Sequence, residues 1–126
     1  MHNTNINIRY KEVCNDIINI NSKIRYVGII NRFGKTMAGK MRDGLKPLFK
    51  PEEARDEFFL TAVRECMRSS FVNSLGRNHF TLTVHDKVKL VLFMHYEHVI
   101  YISIDNSASY DEIVDIVNKV KTIQFK

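Results

Sequence analysis

Between Phe80 and Asp105 the chain carries three strand signals in a row, and the middle one is apolar on both faces. From His79 to His85, Phe80, Leu82 and Val84 point one way and Thr81, Thr83 and His85 the other, the period-2 pattern of a half-buried strand. Asp86-Lys87 is a two-residue turn. From Val88 to Tyr96, Leu90, Leu92 and Met94 lie opposite Val91 and Phe93. A strand with no polar face must be central, with helices above and below it. Glu97-His98 then turns the chain into Val99 to Asp105. Strands joined by tight turns pair antiparallel, so this block predicts an antiparallel sheet covered on both sides.

The rest of the chain supplies the covers. Tyr10, Val13, Cys14 and Ile17, with Ile20 or Asn21, repeat at helical spacing, which predicts a first helix from about Ile8. Residues 1–7 lack periodicity and are expected to be a frayed start. Pro51-Glu52-Glu53 opens a second helix, with proline in its first turn and acids at the positive dipole end. Its apolar pattern runs on to Leu75, and Gly76 is a helix stop, so about 24 residues are expected to form one long helix. Ser109 with Glu112 is a capping box for a last helix. Ile113, Val114, Ile116, Val117, Val120 and Ile123 form its apolar face.

Between the first two helices, IRYVGIIN (24–31) is a strand, Arg32-Phe33-Gly34-Lys35 a hairpin turn, and Thr36 to Lys40 a short returning strand at a sheet edge. Gly28 marks a bulge or a close helix contact. Pro47 and Pro51 mark the stretch after Asp43 as loop. The order is α-β-β-α-β-β-β-α. At 126 residues this is one domain, spanning 8–126: an α+β, α/β-sandwich fold with a five-stranded antiparallel sheet and helices on both faces.

The formal charge of +5 is local. Arg32, Lys35, Lys40, Arg42, Lys46 and Lys50 fall in one stretch opposed only by Asp43, and the remainder of the chain is balanced. One reading of this segment is a contact for an acidic protein partner or for nucleic acid. The other is that edge strands carry cations to block strand addition. Neither a helix-turn-helix nor a zinc finger accompanies it.

No catalytic or cofactor pattern emerges. A phosphate-binding loop ending at Gly34-Lys35-Thr36 would need glycine at position 29, where Ile29 stands. His95 and His98 straddle a tight turn and read as surface histidines rather than metal ligands. Cys14 and Cys66 sit on apolar helix stripes as buried thiols. No carboxylate pair stands out as an acid/base couple. The expectation is therefore no enzyme, no cofactor and no metal. The polar start MHNTNINIRY has no secretory core and no apolar run spans a bilayer, so a cytoplasmic protein without membrane insertion is expected.

The long helix offers more apolar surface than a sheet needs. Phe58/Phe59, Ala62/Val63 and Cys66/Met67 are adjacent apolar pairs, followed by Phe71 and Val72. One helix face requires only about 100° of apolar arc. A core face plus a self-association seam accounts for the excess.

With a hairpin of the form VGIINRFGKTMA followed by the long middle helix, this order of elements resembles the roadblock/dynein-light-chain superfamily, which is profilin-like and longin-related. The resemblance covers about Tyr10 to Lys121. The segments IRYVGIINRFGKTMAGKMRDGLKP, MRSSFVNSLG and FTLTVHDKVKLVLFMHYEHVIYISID are also similar to a family of short thaumarchaeal proteins, which implies an archaeal origin and no particular function. The roadblock resemblance implies a scaffold: a homodimer with its long helices packed together and an edge strand paired across the two-fold, often partnering a small Ras-like GTPase. Carried over, the seam would be Phe59, Val63, Met67 and Phe71 on the helix with Phe80 and Leu82 on the strand His79 to His85. The charged 32–50 segment departs from the family. A PAS- or profilin-like domain holding a small ligand between sheet and helix is the alternative, and nucleic-acid binding through 32–50 a third.

Overall fold

The computed structural model describes residues 2–123 and the side chains of 8–123; residues 1 and 124–126 of the sequence lie outside that range. The elements are α1 (His2–Ile18), β1 (Ile24–Ile30), β2 (Thr36–Met41), α2 (Pro51–Arg68), a 3-10 turn (Ser69–Phe71), α3 (Val72–Leu75), β3 (Thr81–Val84), β4 (Val88–His95), β5 (His98–Asp105) and α4 (Tyr110–Lys121). One five-stranded antiparallel sheet runs in the order β2-β1-β5-β4-β3. The three inner strands are the three most apolar segments. All of Val99 to Ile104 in β5 is buried, as is all of Val88 to Phe93 in β4.

Helices α1 and α4 cover one face. Val13, Cys14 and Ile17 of α1 and Ile113, Ile116 and Val117 of α4 pack on Val27, Ile29, Val91, Ile100, Ile102 and Ile104. Fully burying each such side chain contributes about 1.5–3 kcal/mol, so this face holds most of the stability. Helix α2 covers the other face more thinly, and only Thr61, Ala62 and Glu65 of its 18 residues are buried. Its core comprises Ala62, Ile30, Leu90, Leu92, Val99 and Tyr101, with Phe58 and Tyr26 at the margin.

Several local expectations change. The first helix starts at His2 rather than near Ile8, and Val114 on α4 is 51 % exposed. The long helix is interrupted at Ser69–Phe71. Ser69 Oγ donates to the Cys66 carbonyl at 2.6 Å and Ser70 Oγ to the Met67 carbonyl at 2.7 Å. Such back-bonding competes with the α-helical ladder, and the chain tightens into a 3-10 turn. The β4–β5 turn is Tyr96-Glu97, one residue earlier than expected, with Tyr96 at φ 54°. Gly28 faces Gly39 across the β1–β2 pair, and the two glycines leave the bed on which the Tyr26 ring lies.

Candidate interaction surface

The charge of the 32–50 segment is divided among five places. Arg32 and Lys35 are at the β1–β2 hairpin tip, where the Arg32 guanidinium lies 5.0 Å from the centre of the Phe33 ring. Lys40 pairs in register with Val27, on the α1 side of the sheet. Arg42 is used internally. Its guanidinium donates to the carbonyls of Ile18 at 2.6 Å, Ile24 at 2.7 Å and Asn21 at 2.8 Å. It thereby closes the C-terminal end of α1, where a cation also meets the negative end of the helix dipole. Lys46 lies at the rim of a cleft beneath the loop that precedes α2, and the backbone N–H of Lys50 donates to Glu53 at the start of α2. The six cations expected to act together thus do not share a face.

The long helix behaves differently. Phe58, Thr61, Ala62 and Glu65 look towards the sheet, while Phe59 is 57 % exposed and Met67 64 % exposed on its outer flank, with half-buried Val63 between them. Phe71 in the 3-10 turn and Val72 and Leu75 in α3 extend the exposed apolar row. The hairpin tip joins this surface. A Cβ on Gly34 would lie 2.5 Å from the Cα of Phe59, so only glycine lets the turn rest on α2. That contact places Phe33, 68 % exposed, and the cations Arg32 and Lys35 beside the helix row. Sequence spacing carries no signal for this meeting of hairpin and helix, because it depends on the pitch of α2 across the sheet.

Phe80 and Leu82, expected in the same seam, lie on the opposite side of the sheet. They pack against the α1/α4 core, with the Phe80 and Phe93 ring centres 6.3 Å apart. Their strand, β3, is an edge strand bonded to β4 alone. Its other face holds Thr81, whose hydroxyl donates to Glu65 at 3.2 Å and so ties β3 to α2. Glu65 is only 4 % exposed, and burial raises its carboxyl pKa above the usual range, Thr81 and Arg68 opposing the shift.

The Cys14 thiol is fully buried and pushed up to about 12 by that burial, whereas Cys66 is half-buried on α2. His95 and His98 face each other across the β4–β5 hairpin, and His98 Nδ1 lies 3.3 Å from the Tyr10 hydroxyl. Among the described residues no three His, Cys, Asp or Glu side chains gather as metal ligands, and no helix is long and apolar enough to cross a membrane.

No protein family and no curated protein matches the chain by sequence. Solved structures do match. The gliding protein MglB of Thermus thermophilus superposes with a TM-score of 0.70 at 18% identity, over 93% of this chain and 86% of that one. MglB of Myxococcus xanthus gives 0.65 at 14% identity, covering 90% and 83% of the two chains. A roadblock/LC7 domain from Streptomyces avermitilis gives 0.61 at 10% identity, covering 88% and 93%. The order of elements, the sheet topology and these superpositions together give the chain the roadblock/LC7 fold.

Proposed function

We propose that this protein is a non-enzymatic, homodimeric interaction scaffold. The observation that carries the reading is the apolar row Phe59, Met67, Phe71 and Leu75, which the protomer's own core leaves exposed. Contiguous exposed apolar surface of this kind marks an interface. In the proposed dimer the outer flank of α2 meets its symmetry mate, and the free edge of β3 extends the sheet across the two-fold. A solved MglB structure described as having a tetrameric arrangement supports self-association through this fold. Phe33 with Arg32 and Lys35, at the margin of the same surface, offers an apolar and cationic contact to an acidic protein partner, a small GTPase in the reading the fold suggests. Phe80 and Leu82 contribute to such a seam only by holding β3 against its own core.

Analytical ultracentrifugation at micromolar concentration tests this. The expected mass is twice 14.8 kDa, and Met67→Glu is expected to give a folded monomer, since Met67 is exposed in the protomer. A wild-type mass of 14.8 kDa would refute the reading.

A further inference from the structure

A cleft of about 590 Å³ lies between the sheet and the first turns of α2, on the side away from Phe59 and Met67. Its size falls within the roughly 300–1,000 Å³ typical of small-molecule sites. The walls are apolar and aromatic. Phe58 and Tyr101 meet edge to face at 5.0 Å, Tyr26 stacks on Phe58 at 6.1 Å, and Met41, Leu48 and Leu90 complete the body of the cleft.

Two polar groups line this apolar space with hydrogen-bonding capacity that the described residues leave unused. β1 shifts register against β5 between Ile24 and Tyr26, so that Ile24 opposes Ile104 and Tyr26 opposes Ser103, with Arg25 as the extra residue. Ile24 and Val27 both stay in the α1/α4 core, and the bulge therefore sends Arg25 together with Tyr26 to the cleft. Bulges commonly re-aim a side chain in this way. The Arg25 side chain is 19 % exposed, and its contacts are long: Asp105 at 3.9 Å and the Lys46 carbonyl at 3.5 Å. Ser103, beside it in the register, is 8 % exposed and lines the cleft, and its hydroxyl makes no hydrogen bond among the described residues. A hydroxyl with no such partner is available to donate to a ligand oxygen.

We propose that this cleft binds a small carboxylic acid with a planar apolar body. The body lies between the aromatic walls, and the carboxylate is held by the Arg25 guanidinium and the Ser103 hydroxyl. An arginine fork and a hydroxyl donor match a carboxylate in geometry as well as charge. Asp105, 3.9 Å from the Arg25 guanidinium, is the acid with which a ligand carboxylate shares it, and Glu53 and Glu57, lining the cleft, are engaged elsewhere. Glu57 accepts from the Tyr101 hydroxyl at 2.9 Å and Glu53 from the Lys50 N–H at 3.0 Å, while Asp86 lies with Lys87 and His85 on the β3–β4 turn.

The test titrates the full chain with 2-naphthylacetate and with the neutral 2-(2-naphthyl)ethanol, read by amide NMR. The acid is expected to shift the Tyr26, Leu90 and Ser103 signals and to bind at least about tenfold tighter than the alcohol, as a hydrogen-bonded ion pair should. Arg25→Met removes that difference, with Arg25→Gln as substitute where the Met variant fails to fold. Ser103→Ala weakens the acid several-fold, and Leu90→Trp, filling the cleft, abolishes both. No shift up to millimolar probe, equal affinity for acid and alcohol, or shifts confined to Phe59 and Met67 would each overturn the assignment. The same titration on Met67→Glu separates this result from the fate of the dimer.

Discussion

Arg42 is the basic residue whose role the structure defines most sharply, and replacing it is the most informative perturbation. Arg42→Met keeps the aliphatic stem and deletes three donors, those to the Ile18, Asn21 and Ile24 carbonyls at 2.6–2.8 Å. A hydrogen bond from a charged donor contributes about 1.5–3 kcal/mol. The Arg42 side chain is only half-buried, so water recovers part of that loss, and the expected cost is about 3 kcal/mol rather than the full sum. For a domain of this size that is a fall in Tm of about 12 °C, at roughly 4 °C per kcal/mol. Arg42→Lys keeps the charge near the end of α1 but not the fork, and is expected to lose about half as much. Lys35→Met, at the exposed hairpin tip, should stay within about 0.5 kcal/mol of wild type. Urea unfolding at one fixed protomer concentration measures all three, since association would otherwise shift the midpoint. Superimposable curves for Arg42→Met and Lys35→Met would refute the internal role and return Arg42 to the surface.

Two further outcomes follow from particular contacts. Gly34→Ala forces φ 84° on a residue with a Cβ and drives that Cβ to 2.5 Å from the Phe59 Cα; a loss of about 2–4 kcal/mol is expected, read by thermal unfolding. Glu65 has a folded pKa raised above its ordinary 4.5 by burial, so the fold favours its protonated form. Its stabilising contribution is full below that ordinary value and is lost as pH rises through the folded one. Glu65→Gln should therefore be more stable than wild type at neutral pH, with the difference vanishing under acid, as pH-dependent denaturation would reveal.

Much of the fold is legible in the residues themselves. The doubly apolar run Val88–Phe93 announces a central strand, and the capping box of Ser109 and Glu112 fixes the start of α4, where Ser109 Oγ accepts from the Glu112 N–H at 3.1 Å. Both are local signals: side-chain alternation and a cap spaced three residues apart. The break at Ser69–Phe71 is less visible, because apolar spacing continues through it while the two serines take the carbonyls of the preceding turn. The candidate surface is half legible. The excess apolar arc of α2 can be counted in sequence, whereas the sides taken by Phe80 and Leu82 depend on which face of the sheet each helix covers.

What the sequence alone determined is the order of the main helices and strands and the local excess of charge, since each rests on patterns a few residues long. What only the tertiary structure decided is where distant pieces meet. It placed β5 between β1 and β4, sent Arg42 under the end of α1, and laid the hairpin tip at Gly34 against Phe59. It also turned Arg25 into a cleft by way of a one-residue bulge. These depend on register and on packing between segments tens of residues apart, and a one-residue shift in register moves a side chain from one face of the sheet to the other.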